Sequence, residues 1–190
     1  YKQAVPILES IGETRWVYQL LKAENDPKAA QYEKIILASD WEPEASEILY
    51  KQTESICRNN KPEACFNATK KLASRKLPAL LAAKNRLLQA EILSDEFIRQ
   101  STKAKPDRLE LVMSIKLEKY QKATTALDST LKLSPDRGVS LSAAKLKLSV
   151  LANLLETLKT AGIQEGQKNI IAEIDDLKRQ TTSTEKSLID

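Results

Sequence analysis

The sequence predicts an all-α fold of stacked antiparallel helical hairpins, similar in plan to an α-solenoid, followed by a bundle of longer helices. Three observations lead to this prediction. Only 4 of the 190 residues are glycine, fewer than the turns of a β-rich protein of this size need. Each of the seven prolines stands at the start of a segment with helix-favouring composition. Within these segments apolar residues recur every three or four positions, and no segment alternates as a strand does.

The first part of the chain, residues 1–76, is predicted to hold short helices joined by connections of a few residues. Acidic residues follow several of the prolines, as in Pro43-Glu44 and Pro62-Glu63, and they suit the positive end of a helix dipole. We therefore interpret the prolines as helix starts. The expected helices span residues 4–10, 13–23, 27–38, 43–58 and 62–74.

The second part, residues 77–190, is predicted to hold longer helices that pack with the first part as one continuous unit. The third of them has an unusually wide apolar stripe and is expected to be central. Gly138 and Gly162 are expected at helix boundaries that need left-handed backbone. After Arg179 the pattern gives way to Gln-Thr-Thr-Ser-Thr, which predicts a fraying tail. The expected helices span residues 78–102, 106–133, 139–160 and 164–184. The stripe of the second comprises Leu109, Val112, Met113, Leu117, Tyr120, Ala123, Leu127 and Leu131.

Composition argues against several classes of function. The chain has no histidine, which excludes Ser-His-Asp and Cys-His mechanisms and His-based zinc sites within it. Its 30 basic and 26 acidic residues are interspersed and give a net charge of +4, which predicts a solvated surface of mixed sign rather than a nucleic-acid-binding face. The small basic clusters at Lys70-Lys71, Arg75-Lys76 and Lys103-Ala-Lys105 have no interleaved aromatic residues.

No motif for catalysis, metal binding or cofactor binding stands out, and we expect none of the three. The carboxylate pairs Glu42/Glu44 and Asp175/Asp176 could do acid–base work only in a cleft that separates their pKa values. The first pair is explained by a helix start, and the second by the polar face of a helix. We therefore expect a protein that is not an enzyme.

No stretch approaches the roughly 18 apolar residues of a membrane span, so no transmembrane segment is expected. The chain begins Tyr-Lys-Gln, without an initiator methionine. We interpret it as a trimmed or mature chain from which a signal peptide, lipid anchor or leading domain has been removed.

Cys57 and Cys65, the only cysteines, fall on either side of the turn sequence Asn59-Asn60-Lys61-Pro62. The pair would lie in the last turn of one helix and the first turn of its antiparallel partner, within reach of a disulfide. A disulfide would indicate an oxidising setting, namely the periplasm, the cell surface or the exterior. The alternative is two free thiols that act as small hydrophobic residues in a cytosolic protein.

The segment from Cys57 through Cys65-Phe66-Asn67 resembles the cysteine-clamped hairpin of Sel1-like repeats. It departs from them at Ala68-Thr69, where the family has a Leu-Gly-type pair, and no second cysteine pair follows. The stretch from Tyr120 to Pro135-Asp136 is similar to the second helix of a tetratricopeptide repeat. Both resemblances imply stacked helical hairpins, although an ordinary amphipathic helix ending in Leu-Ser-Pro-Asp would look the same as the second.

Both tryptophans and four of the five tyrosines lie in the first fifty residues, and all of these except Tyr1 are candidates for a common role. They either fill gaps between short helices or form a protein-binding surface, since exposed aromatic residues are typical interaction hot spots. The concave side of the hairpins near Trp16, Tyr32 and Trp41 is the expected surface. The full set is Trp16, Tyr18, Tyr32, Trp41 and Tyr50.

The expected function is therefore a non-enzymatic scaffold or adaptor that binds protein partners in an extracytoplasmic setting, such as the periplasm or cell envelope. The alternative is a secreted helical effector or inhibitor that blocks the active site of another protein. Asn67-Ala68-Thr69 is a glycosylation sequon, which matters only if the source has a eukaryotic secretory pathway.

Overall fold

The computed structural model describes residues 1–59 and 62–189, and within these ranges the chain is all-helical. There are nine α-helices, one short 3-10 helix and no strand in this part of the chain. The helices are α1 Ala4–Ser10, α2 Thr14–Ala23, α3 Ala29–Ser39, α4 Glu44–Asn59, α5 Pro62–Ala73, α6 Ala79–Arg99, α7 Leu109–Leu133, α8 Arg137–Thr160 and α9 Gln167–Ile189, with the 3-10 helix at Pro106–Arg108.

Every proline lies in the first turn of a helix or one or two residues before it, as the sequence predicts. Pro62 is the first residue of α5, and Pro78 is the N-cap of α6. Proline suits these positions because the first N–H groups of a helix have no intrahelical partner. At α8 the residue after Pro135 completes the cap: Asp136 Oδ1 accepts a 2.8 Å hydrogen bond from the Val139 amide.

The chain divides into two compact units, Tyr1–Gln52 and Thr53–Asp190, called here the N-terminal and C-terminal units. The predicted division at residue 76 follows the change in helix length, which lies between α5 and α6. The short helix α5 nevertheless groups with the long helices because it packs on α6, where the buried Asn85 side-chain amide donates to the Thr69 carbonyl at 2.9 Å.

The N-terminal unit has a small core built from α2, α3 and α4. Tyr18, Ile36, Ala45 and Ile48 are buried together there, with Trp41 and other partly buried side chains packed around them. α2 supplies three buried residues at helical spacing, Val17, Tyr18 and Leu21.

The C-terminal unit is a bundle of long helices around one larger core drawn from α6, α7 and α8. Consecutive helices run antiparallel, because contacts pair later residues of one helix with earlier residues of the next. Thus Phe97 and Tyr120 join α6 to α7, with ring centroids 5.8 Å apart. Lys147 of α8 reaches Asp128 of α7 at 2.9 Å and Glu173 of α9 at 2.7 Å.

Helix α8 is central to this bundle, as its wide apolar stripe predicts, because it packs on α6, α7 and α9. It is also the one helix in the described chain that is long and apolar enough to cross a membrane by length and composition alone. The core helix of a globular bundle meets the same criterion, and Val150, Leu151 and Leu154 of α8 are buried against its neighbours.

Two expectations about helix ends are wrong. The chain after Arg179 is not a fraying tail, because α9 continues to Ile189. There Thr181 is buried, and Lys145 of α8 pairs with Glu185 at 2.6 Å. Gly138 does not adopt left-handed backbone and lies in the first turn of α8, where the Asp136 cap starts the helix. Gly162, with φ of 71°, has the expected left-handed conformation at the end of α8.

Candidate functional site

The five aromatic residues predicted to form a binding surface occupy different environments. Tyr18 is 1% exposed and belongs to the core, so its ring is not available to a partner. Tyr32 and Trp41 pack partly buried against that core, and Tyr50 is half-buried. Trp16, by contrast, is 63% exposed. The structure thus brings two of the five to the margin of one core and leaves Trp16 on the surface.

Trp16 is exposed because α2 turns a different face inward. Val17, Tyr18 and Leu21 define its buried stripe, and position 16 lies outside that stripe. The neighbouring helix α1 has no buried residue, and Ile7 and Ile11, one helical turn apart, are both more than half exposed. Ile7, Ile11 and Trp16 are named here the N-terminal apolar surface.

Polar contacts fix α2 against the start of α4. Arg15 donates to Glu44 Oε2 at 2.6 Å and to the Glu42 carbonyl at 3.0 Å, and Gln19 donates to Glu44 Oε1 at 3.2 Å. Desolvation opposes the charge of the buried Glu44, but hydrogen bonds from its own backbone amide, Arg15 and Gln19 outweigh it and lower the pKa of Glu44. Further along the two helices, Lys22 pairs with Glu47 at 2.7 Å.

These contacts give the carboxylate pair Glu42/Glu44 a structural role. Glu44 holds Arg15, and Glu42 accepts a hydrogen bond from the Ser46 hydroxyl at 2.8 Å. Asp175 and Asp176 are exposed on α9, where Asp176 accepts from Gln180 one turn later. Neither arrangement combines two carboxylates with a cleft that separates their pKa values.

The cysteine pair has the predicted geometry. The sulfur atoms of Cys57 and Cys65 lie at disulfide-bonding distance, and their Cα atoms are 4.4 Å apart. Cys57 is in the last turn of α4, and Cys65 is buried in the first turn of α5. The predicted turn at Asn60-Lys61 lies outside the described residues.

The most unusual buried group is one that the sequence analysis missed. Lys116 of α7 is 3% exposed. Its Nζ donates to the Gln100 carbonyl at 3.1 Å and to Asn153 Oδ1 at 2.8 Å, and it lies 4.6 Å from the centroid of the Phe97 ring. Desolvation, with a smaller contribution from the positive charge of Lys119, lowers the pKa of Lys116.

The helical period could have found Lys116. Met113, Lys116, Tyr120 and Ala123 continue one stripe at steps of three and four. The predicted stripe used Leu117 instead, and Leu117 is exposed. The long aliphatic stem of lysine lets the residue occupy an apolar position while its ammonium reaches polar acceptors.

No group of three or more Cys, Asp or Glu side chains in the described ranges is arranged to hold a metal ion. Asn67 of the sequon is exposed on α5, and the lysines at 70, 71, 103 and 105 are also exposed. No family model, curated protein or solved structure matches the chain. Its resemblance to Sel1-like and tetratricopeptide repeats stays a prediction.

Proposed function

We propose that the chain is a protein-interaction module that works in an extracytoplasmic compartment and binds a partner protein through the N-terminal apolar surface. In this proposal the hairpins stack as in Sel1-like and tetratricopeptide repeats, and the cysteine pair is oxidised. The observation that carries the proposal is the exposure of Ile7, Ile11 and Trp16 within ten residues of chain. Among the described residues, only one other large apolar side chain, Leu111, is exposed to a similar degree, at 61%.

Exposure of this kind favours a binding role because keeping large apolar side chains in contact with water costs free energy, which a partner that covers them would recover. Tryptophan is also the residue type most enriched among interaction hot spots. Two ion pairs between α2 and α4, Arg15 with Glu44 and Lys22 with Glu47, would hold α2 in place before a partner arrives. A preformed surface loses less entropy on binding than a mobile one.

The proposal is tested by affinity capture from an envelope extract of the source organism, with Trp16→Ala and Ile11→Ala compared with Leu111→Ala. Leu111 is a matched control because its exposure is nearly that of Trp16 but it lies in the C-terminal unit. We expect a reproducible partner whose affinity falls about tenfold or more in the first two variants and is unchanged in the third. Capture that is insensitive to Trp16 and Ile11, or the absence of any partner, would contradict the proposal.

The compartment is tested separately by intact mass and thiol labelling of the chain isolated from its source. A Cys57–Cys65 disulfide should leave both thiols unlabelled under denaturing, non-reducing conditions. Labelling of both would contradict the extracytoplasmic part of the proposal while leaving the binding surface in place. If the captured partner is an enzyme that the chain inhibits, the inhibitor function applies instead of the adaptor function.

A further inference from the structure

A cleft in the C-terminal unit lies beside the cysteine pair, at the opposite face of α6 from the buried Phe97. It encloses about 520 Å³, within the range of sites that bind small molecules or single side chains of a partner. Leu88 and Ile92 of α6 and Leu146 of α8 give it apolar walls, and Cys57 and Cys65 close one side. Three helices and the start of a fourth thus contribute to one concave site.

Carboxylates line the same cleft. Glu91, Asp95 and Glu96 follow one another along α6, and Arg99 stands one turn beyond. Arg99 is already paired with Asp95 at 2.6 Å, and the nearby Arg58 is paired with Glu54 at 2.8 Å. In the described part of the chain, Glu91 and Glu96 have no ion pair within 4.0 Å. Among the described residues, the cleft therefore has more carboxylates than cations paired with them, with Arg58 near Glu91 and Lys122 near Glu96 acting only at longer range.

Glu91 is exposed to solvent on the side of the cleft where other carboxylates lie near it. Desolvation raises the pKa of Glu91, Arg58 opposes that effect, and the neighbouring carboxylates Glu54 and Asp95 add to it. A cation brought into the cleft would favour the charged form of Glu91 and offset the repulsion from Glu54 and Asp95. The described carboxylates do not form a group able to hold a metal ion, so the geometry favours an organic cation.

From the apolar walls and the excess of carboxylates together, we propose that this cleft binds a lysine- or arginine-bearing segment of a partner protein. The aliphatic stem of the basic residue, or an apolar neighbour in the same segment, packs against Leu88, Ile92 and Leu146. The ammonium or guanidinium group lies at Glu91 and Glu96. Basic side chains suit such a site because their stems are apolar and their ends are charged. The inference is independent of the N-terminal apolar surface.

The test is selection of random displayed peptides on the whole purified chain, followed by affinity measurement of the selected peptides by fluorescence anisotropy. The cleft variant is Glu91→Gln with Glu96→Gln. The matched control is Glu110→Gln with Glu165→Gln, which changes the net charge equally at two exposed positions outside the cleft. Circular dichroism checks that both variants keep their helices.

We expect the selected peptides to be enriched in lysine or arginine next to apolar residues. Their affinity should fall about tenfold or more in the cleft variant and stay unchanged in the control variant, and Ile92→Ser should also weaken it. The proposal is overturned if no peptide is selected, if the peptides lack basic residues, or if they bind the cleft variant as tightly. It is also overturned if spermidine alone occupies the cleft as tightly as any peptide.

Discussion

The N-terminal and C-terminal units hold their helices together by different means. In the N-terminal unit, helices of 7 to 11 residues and the first nine residues of α4 surround a core of a few side chains. Ion pairs from Arg15 and Lys22 join α2 to α4. In the C-terminal unit, α6 to α9 have 21 to 25 residues and share an extended apolar core. Short helices bury little apolar area each, so directional polar contacts carry a larger part of their stability.

Within the C-terminal unit, two lysines differ in how their charge is compensated. Desolvation disfavours the charged form of Lys147, but its hydrogen bonds to Glu173 and Asp128 outweigh that effect and raise the pKa of Lys147. Lys116 is buried among neutral acceptors, and its pKa is lowered. The large core can thus hold a charge that burial disfavours, whereas the buried carboxylate of the N-terminal unit, Glu44, is neutralised directly by Arg15. This difference predicts that each unit responds to a different perturbation.

The largest expected effect comes from truncating the core of the C-terminal unit. Phe97→Ala removes a fully buried ring that contacts Tyr120 and lies beneath Lys116, and it should lower the free energy of unfolding by about 3–5 kcal/mol. Urea unfolding followed by far-UV circular dichroism measures it. Both tryptophans lie in the N-terminal unit, so their fluorescence follows that unit separately. Phe97→Leu, which keeps most of the volume, should lose about 1.5 kcal/mol or less.

The second effect concerns the cysteine pair at the start of the C-terminal unit. If Cys57 and Cys65 form a disulfide across their sequence separation of 8, Cys57→Ser with Cys65→Ser should lower the free energy of unfolding by about 2–3 kcal/mol. Adding a reductant to the wild-type chain should give a similar loss, and adding it to the double variant should change nothing. Equal stability of wild type and variant would indicate free thiols.

The third effect tests the ion pairs between α2 and α4 in the N-terminal unit. Arg15→Met leaves the buried Glu44 without its cation and should lower the free energy of unfolding by about 1–3 kcal/mol, measured by tryptophan fluorescence. Since the folded-state pKa of Glu44 is lowered from 4.5, this contribution is complete above pH 4.5 and is lost as the pH falls through the lowered pKa.

A matched control for that prediction is Arg58→Met, which breaks an exposed pair within α4 and should change stability by about 0.5 kcal/mol or less. Equal losses from the two variants would show that burial of Glu44 does not strengthen its pair. Glu44→Gln should remove the acid-dependent part of the stability difference between wild type and Arg15→Met.

The sequence predicted those features that depend on local chemistry. Proline at N-terminal helix positions and apolar residues at helical spacing located all the helices, because both act within a few residues of chain. The wide stripe of α8 likewise indicated its central place. The left-handed backbone predicted for Gly138 is wrong because glycine suits both a helix boundary and the first turn of a helix. The Asp136 side chain caps α8 and so places Gly138 in its first turn.

The features that sequence reasoning missed depend on neighbours distant in the chain. The tail after Arg179 stays helical because it packs on the bundle, where Thr181 is buried and Glu185 pairs with Lys145 of α8. Trp16 and Tyr18 are two residues apart and equally aromatic, yet only the packing of α3 and α4 on α2 decides that Tyr18 is core. The cleft of the C-terminal unit combines residues from four helices, which no local pattern joins.

The smallest effect, and the one that probes the large core most directly, is expected for Lys116→Met. Methionine keeps the length and apolar stem of lysine but needs no desolvation of a charge, so the variant should be about 1 kcal/mol more stable at neutral pH.

Because the folded-state pKa of Lys116 is lowered from 10.5, wild-type stability should rise as the pH increases through that lowered value towards 10.5, since there the unfolded chain binds more protons. The variant should lack this rise, and Lys119→Met, which removes the neighbouring positive charge, should move it to higher pH. A less stable Lys116→Met would mean that the hydrogen bonds to Gln100 and Asn153 outweigh desolvation, and the core of the C-terminal unit would then depend on a polar contact as the N-terminal unit does.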